Sequence, residues 1–147
     1  MTESDRRLVA DRADHCCEYC FSQELISHDD FAVEHIRPRA DGGSENLDNL
    51  AWSCQGCNNR KYTAQEAIDP ATGLMARLYN PRTDRWQDHF VWSSDFTKIE
   101  GTSPTGRATV TRLDLNRSGV VNLRHALSLG GYHPPRLTLF EQSPMDH

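Results

Sequence analysis

Apolar positions along the chain fall in short runs rather than in long amphipathic stretches. Residues 31–36, FAVEHI, alternate well enough to predict a short strand, and residues 47–52, LDNLAW, predict a second one. Asn58 is a favourable N-cap, so we expect a helix over residues 58–68 that ends before Pro70. The first half of the chain is therefore expected to contain a small hairpin followed by a helix.

The second half of the chain predicts further short elements. Residues 74–80 predict a strand, and residues 85–92 place three aromatic side chains at even spacing on one strand face. That face could stack nucleic-acid bases, but we favour a hairpin core packed against residues 94–101. Residues 105–115 and 120–129 predict two helices. Their expected core contacts are Leu113, Leu115, Val120, Val121, Leu123, Leu127 and Leu129.

Composition narrows the class of protein. Hydrophobic residues make up 37% and charged residues 25% of the 147 positions, with a mean hydropathy of −0.70, which is polar but not typical of a disordered chain. No apolar run approaches the roughly 18–20 residues that span a bilayer, and the N-terminus lacks the apolar segment of a secretory signal. We therefore expect a cytoplasmic globular protein with no membrane partner.

Charge is distributed unevenly along the chain. The sixteen basic and twenty-one acidic residues give a net charge of −5, and residues 1–63 hold seven of the basic and twelve of the acidic ones. A protein that binds nucleic acid mainly by neutralising phosphates is usually basic. All five cysteines also lie in this acidic segment, which points to a metal site.

The cysteines form two C-x2-C pairs, Cys17 with Cys20 and Cys54 with Cys57. Each pair can turn both thiolates toward one ion, and two such turns complete the four-sulfur shell that a structural Zn²⁺ prefers. Disulfides are disfavoured by the odd cysteine count, and a redox C-x2-C leaves the other pair unexplained. Cys16 could replace Cys17 as a ligand, but the matched spacing favours Cys17 and leaves Cys16 as a small buried residue.

Four polar residues between and after the cysteine pairs are expected to lie close together, where the end of the first strand faces the start of the helix. Glu34 and Asn58 offer oxygen ligands that suit Mg²⁺ or Mn²⁺. His35 follows Glu34 in the strand, and a bend at the strand end can bring its imidazole near metal-bound water as a general base. Taken singly, these residues and Asn49 are ordinary surface, turn or cap residues; their joint placement favours a catalytic site.

Residues 34–61, EHIRPRADGGSENLDNLAWSCQGCNNRK, resemble the motif of HNH endonucleases in their four-cysteine, ββα-metal form. The matching positions are Glu34-His35, Pro38, Gly42-Gly43, Asn49-Leu50, Cys54 to Cys57, and Asn58. The upstream segment RADHCCEYC resembles the first zinc knuckle of the family, so the resemblance covers roughly residues 12–63. It departs from the commonest pattern at two positions, with Asn58 where His is frequent and Glu34 where Asp is also common.

The resemblance implies a role for each of these residues. His35 would be the general base, Asn49 would hold the active loop and orient His35, and Glu34 with Asn58 would bind the catalytic divalent ion. Cys17, Cys20, Cys54 and Cys57 would hold the structural zinc. A local basic rim that contacts nucleic acid would be formed by Arg37, Arg39, Arg60 and Lys61.

These expectations combine into one hypothesis. We expect an α+β protein with a zinc-stapled nuclease core over residues 1–68, a strand-and-helix extension packed on it over residues 69–136, and a loose tail over residues 137–147. Its expected activity is metal-dependent hydrolysis of DNA phosphodiester bonds, with RNA not excluded and a protein partner able to deliver the substrate. Monomer and homodimer both remain open. The alternative is a non-catalytic zinc-ribbon-like module that docks nucleic acid or a protein.

Overall fold

The structure is a computed structural model that describes residues 2–141, and it confirms the mixed α+β class. The helices are Glu3–Arg12 (α1), Gln55–Lys61 (α2), Pro104–Leu113 (α3) and Ser118–Leu129 (α4). The strands are Phe31–His35 (β1), Leu50–Cys54 (β2), Glu66–Ile68 (β3), Met75–Arg77 (β4), Phe90–Trp92 (β5) and Ile99–Gly101 (β6). Over residues 2–141 no helix is both long and apolar enough to cross a bilayer.

The first antiparallel hairpin, β1 with β2, forms the centre of the N-terminal half. Its register pairs Phe31 with Cys54 and His35 with Leu50, and every residue of β2 is buried. Helix α1 packs against both strands, and α2 follows β2 directly. The first predicted strand is confirmed, whereas the second begins at Leu50 rather than at residue 47. The preceding residues form a short 3₁₀ turn because the side chain of Asn49 bonds to the neighbouring loop.

The helix predicted over residues 58–68 is wrong at both ends. Helix α2 begins earlier because Cys54 is its N-cap, with a thiol that accepts a hydrogen bond from the Cys57 N–H. It ends before Tyr62, whose φ of 50° is incompatible with a continued right-handed helix. The segment Glu66–Ile68 instead pairs antiparallel with β4. The cysteine turn therefore sets where this helix starts.

The aromatic residues of the second half form a core, as the favoured interpretation predicted. Trp86 and Phe90 are buried, and strand β5 pairs with β6 in the expected hairpin. Phe21, from the cysteine-rich half, and Phe140 both join this cluster, with ring centroids 4.8 Å apart. Trp92 packs edge-on against Phe140 at 5.6 Å. These rings are therefore used for packing between the two halves of the chain.

Helices α3 and α4 match the two helices predicted for the second half, with small shifts at their ends. Leu113, Leu115 and Val120 are buried, as expected. Leu129 is 78% exposed, so its expected core contact is wrong; it is the last residue of α4 and extends beyond the packed surface. Helix α3 packs against α2, β3, β4 and β6, so it contacts both halves of the chain.

Part of the expected loose tail is ordered. Leu137 is buried, and Thr138–Phe140 forms a 3₁₀ turn that places Phe140 against the aromatic cluster. The prediction of a loose segment is therefore wrong for residues 137–141, because their apolar side chains find a packing surface. The rest of that predicted tail, 142–147, lies outside the described residues.

Candidate functional site

Two turns of the chain bring Cys17, Cys20, Cys54 and Cys57 together in what we call the four-cysteine cluster. All four thiols are buried, and their sulfur atoms lie within 4.8 Å of one another. Backbone N–H groups support the cluster, since Cys20 N–H donates to Cys17 Sγ and Cys57 N–H to Cys54 Sγ. The cluster is positioned to bind a metal ion, and four soft sulfur donors fit zinc.

Cys16 lies outside the four-cysteine cluster, as the matched spacing predicted. It is buried, and its thiol points to the carbonyl oxygen of Asp14 at 3.5 Å. Burial raises the pKa of the Cys16 thiol to about 12, with a smaller contribution from the Asp14 charge. Cys16 is therefore a neutral packing residue at neutral pH.

Two arginines of the second half reach the four-cysteine cluster. The guanidinium of Arg117 donates to Cys57 Sγ at 3.5 Å and to Cys54 Sγ at 3.4 Å. Arg124 is only 3% exposed and donates to the carbonyl oxygen of Cys20 at 3.0 Å. Burial opposes the charge of Arg117, but the attraction of Cys57 and the neighbouring thiols raises its pKa overall. If a divalent metal is bound by four thiolates, these cations would offset the negative charge that remains at the cluster.

His35 ends strand β1, and its side chain is 15% exposed. Its ring Nε2 lies 3.0 Å from Glu45 Oε1, whereas Nδ1 has no hydrogen-bond partner among residues 2–141. Arg39 binds the same carboxylate through two N–H groups, at 2.5 and 3.1 Å. Glu45 was not among the residues that the sequence singled out, because it lies in a polar loop where nothing distinguishes it from a solvated acid.

Asn49 ties down the loop between β1 and β2. Its Oδ1 accepts a hydrogen bond from the Arg37 N–H at 2.9 Å, and its Nδ2 donates to the carbonyl oxygens of Arg37 and Ser44, at 3.1 and 2.8 Å. These contacts agree with the loop-holding role that the family resemblance implies. The hydrogen bonds go to the loop backbone and not to the His35 ring.

Glu34 and Lys61 form a buried ion pair, with side chains 3% and 2% exposed. The Lys61 ammonium donates to Glu34 Oε1, and the hydroxyl of Tyr19 donates to Glu34 Oε2 at 2.8 Å. The expectation that Lys61 lies on an exposed basic rim is therefore wrong. Both carboxylate oxygens of Glu34 already have partners in the protein, so the residue does not fit its expected role as a ligand for a catalytic divalent ion.

The remaining predicted residues lie at the surface. Asn58 is partly exposed on α2, next to the four-cysteine cluster in the chain, and Arg37, Arg39 and Arg60 are exposed. Arg39 is engaged by Glu45, and Arg60 bonds through Nη1 to the carbonyl oxygen of a residue one turn earlier in α2.

A polar cavity of about 340 Å³ adjoins the loop that Asn49 holds. Its lining includes Arg37 and Asn49 from the first hairpin loop and Arg77 from strand β4. Arg77 forms a two-pronged salt bridge with Asp84, at 2.6 and 2.9 Å. The sequence did not single out Arg77, because only the β3–β4 hairpin brings this residue beside the first hairpin. The cavity is thus lined by two arginines that are distant in sequence.

Comparison with known protein families gives a match in the first half of the chain. The family model described as HNH endonuclease matches residues 17–64, a segment that contains the four-cysteine cluster and both strands of the first hairpin. No curated protein matches the chain, and no solved structure does.

Proposed function

We propose that the protein is a nuclease that hydrolyses phosphodiester bonds of DNA, because residues 17–64 match the family model of HNH endonucleases. The observation that carries the proposal is the position of His35. It lies at the end of a strand, partly exposed, with one ring nitrogen bound to a carboxylate and the other without a partner among the described residues. A neutral imidazole in that state can accept a proton from an attacking water molecule.

Zinc is the proposed occupant of the four-cysteine cluster, and its role is structural. A closed shell of four sulfur ligands leaves no open position for substrate or water. Zinc bound there would join the turn after α1 to the start of α2, and so hold the hairpin that carries His35. Because such ligands come together only in the folded chain, the binding energy of the metal contributes to folding.

We propose that catalysis also requires a divalent ion, Mg²⁺ or Mn²⁺. Magnesium or manganese ions stabilise negative charge on phosphate oxygens when they are bound in nucleases. Glu34 does not fit as a ligand, because its buried carboxylate is already bonded to Lys61 and Tyr19. Asn58 is partly exposed and remains the proposed protein ligand. The proposed roles of the chain's own residues are a base at His35 and a loop held by Asn49.

The proposed nucleic-acid surface runs along the polar cavity and the neighbouring arginines. Arg37, at the loop that Asn49 holds, and Arg77 both line the cavity, and Arg60 is exposed on α2. Each guanidinium can contact a backbone phosphate without reading sequence. The protein carries a net charge of −5, so we expect weak affinity that falls steeply with salt.

The alternative function is a zinc-bearing binding module without catalysis. It shares the four-cysteine cluster with the nuclease but has no need of an imidazole held by a carboxylate. The test is cleavage of supercoiled plasmid at low salt by the zinc-loaded protein, with Mg²⁺, Mn²⁺ or EDTA added. Linear single-stranded DNA and RNA are run in parallel. Metal-dependent nicking of plasmid supports the proposed nuclease, whereas cleavage of RNA alone would show that the substrate is RNA rather than DNA. Absence of cutting on all three substrates by folded protein favours the binding module.

A further inference from the structure

The carboxylate of Glu45 lies between the candidate base and an arginine. Its Oε1 is 3.0 Å from His35 Nε2, and Arg39 grips both of its oxygens, with Nε 2.5 Å from Oε1 and Nη2 3.1 Å from Oε2. The three side chains form a chain of hydrogen bonds from an arginine through a carboxylate to an imidazole. His35 is a matching position of the motif that carries the family resemblance, whereas Arg39 and Glu45 lie between its matching positions.

The charge of Glu45 determines which atom carries the shared hydrogen. The hydrogen bonds from Arg39 lower the pKa of Glu45 to about 2, so the carboxyl is ionised near neutral pH. An ionised carboxylate only accepts hydrogen bonds. The hydrogen between the two groups must therefore sit on Nε2 of His35. In the neutral imidazole this leaves the lone pair on Nδ1, the ring nitrogen without a partner among the described residues.

Asn49 is connected to this chain through the loop backbone. Its Nδ2 donates to the carbonyl oxygen of Ser44, the residue just before Glu45, at 2.8 Å. The side chain of Asn49 therefore fixes the backbone from which the Glu45 carboxylate reaches His35. The orienting role that the family resemblance implies for Asn49 would thus be indirect, through the loop backbone and Glu45.

We propose that Glu45 is the positioning residue for His35: it fixes the Nε2–H tautomer and leaves Nδ1 as the atom that accepts the proton of the attacking water. This assignment of Nδ1 rests on the proposed nuclease function. The water oxygen forms a bond to phosphorus as Nδ1 takes its proton. The bond from phosphorus to the leaving ester oxygen breaks with its electron pair on that oxygen, which takes a proton from bulk water. The carboxylate of Glu45 stabilises the resulting imidazolium.

The test combines a spectroscopic readout with kinetics. Protein labelled with ¹⁵N-histidine is studied by long-range ¹H–¹⁵N correlation at a pH where the imidazole is neutral, and the His35 signals are assigned by their loss in His35→Ala. We expect the parent to show a single Nε2–H tautomer with a slowly exchanging ring proton. Glu45→Ala should give mixed tautomers and a rapidly exchanging proton, whereas Glu45→Gln, which keeps an acceptor oxygen, should preserve most of the parent signal.

Kinetics separate a positioning role from a structural one. Glu45→Ala should lower kcat by about 10- to 100-fold with KM little changed, a smaller loss than the roughly 10²–10⁴-fold expected for removing a general base. Glu100→Ala, which removes an exposed carboxylate from strand β6, controls for the change in net charge and should behave as the parent.

Two outcomes overturn the inference. One is a parent spectrum dominated by the Nδ1–H tautomer, and the other is a Glu45→Ala variant with an unchanged spectrum. Either result leaves the nuclease proposal standing if the parent cuts DNA. If the parent cuts no substrate but its tautomer depends on Glu45, the nuclease proposal fails and the positioning of the ring by Glu45 is upheld.

Discussion

Removal of the Arg117 guanidinium should weaken metal binding at the four-cysteine cluster. Arg117 comes from the loop between α3 and α4, and it donates to Cys57 Sγ at 3.5 Å and to Cys54 Sγ at 3.4 Å. A hydrogen bond to a charged group contributes about 1.5–3 kcal/mol. Sulfur is a weak acceptor, so we take the two contacts together as one such bond. Arg117→Ala should therefore bind zinc about 10- to 150-fold more weakly, since about 1.4 kcal/mol is a factor of ten.

The assay is competition for zinc between the folded protein and a chromophoric chelator, followed at several chelator concentrations. Arg117→Lys keeps the positive charge but loses the planar pair of donors, so its zinc affinity should lie between those of the parent and Arg117→Ala. Arg112→Ala is the matched control, because it removes an exposed guanidinium from α3. Equal zinc affinity in the parent, Arg117→Ala and Arg112→Ala would show that Arg117 does not stabilise the bound metal.

Two further predictions concern buried charges outside the four-cysteine cluster. Lys61→Met leaves the buried carboxylate of Glu34 without its cation, so the free energy of unfolding measured in urea should fall by about 3–5 kcal/mol. The double variant that also carries Glu34→Gln should recover part of this loss. An unchanged free energy of unfolding in Lys61→Met would contradict the buried ion pair. Hydrogen bonds from Arg107 lower the pKa of Asp69 below its unfolded value near 3.8, so this carboxylate stabilises the fold above pH 4, and the stabilisation is lost as the pH falls toward the folded pKa. Asp69→Asn should therefore have a lower urea midpoint than the parent at pH 7, and its midpoint should fall less between pH 4 and pH 2. An equal fall of the midpoint in the parent and in Asp69→Asn would show that Asp69 does not cause this pH dependence.

Local sequence signals predicted the elements that local chemistry controls. Strand β1 follows from the alternation of residues 31–36, and the cysteine cluster follows from two matched C-x2-C spacings. The start of α2 did not follow, because a cysteine at its N-cap replaced the better intrinsic cap at Asn58. The residues near 66–68 have helical character in sequence but pair with strand β4, since tertiary contacts override a weak propensity.

The functional side chains that could not be predicted from the sequence either contact residues far away along the chain or lie in ordinary polar turns. Arg117 lies 60 residues from Cys57 in the chain, and only the packing of the second half brings the two together. Lys61 was placed on the surface because a buried lysine and an exposed one look alike in sequence, and its partner Glu34 lies 27 residues away. Glu45 sits in a polar turn, where a carboxylate usually faces water. Each of these roles is a property of the fold.

If His35 is the base of a nuclease, its removal should stop plasmid nicking by a protein that is otherwise intact. The control is His125→Ala, which removes an exposed imidazole from α4. Both variants are first shown to be folded and to hold zinc. We expect His35→Ala to cut supercoiled DNA about 10²–10⁴-fold more slowly than the parent, and His125→Ala to cut at the parent rate. Equal rates for the parent and His35→Ala would show that His35 is not the base.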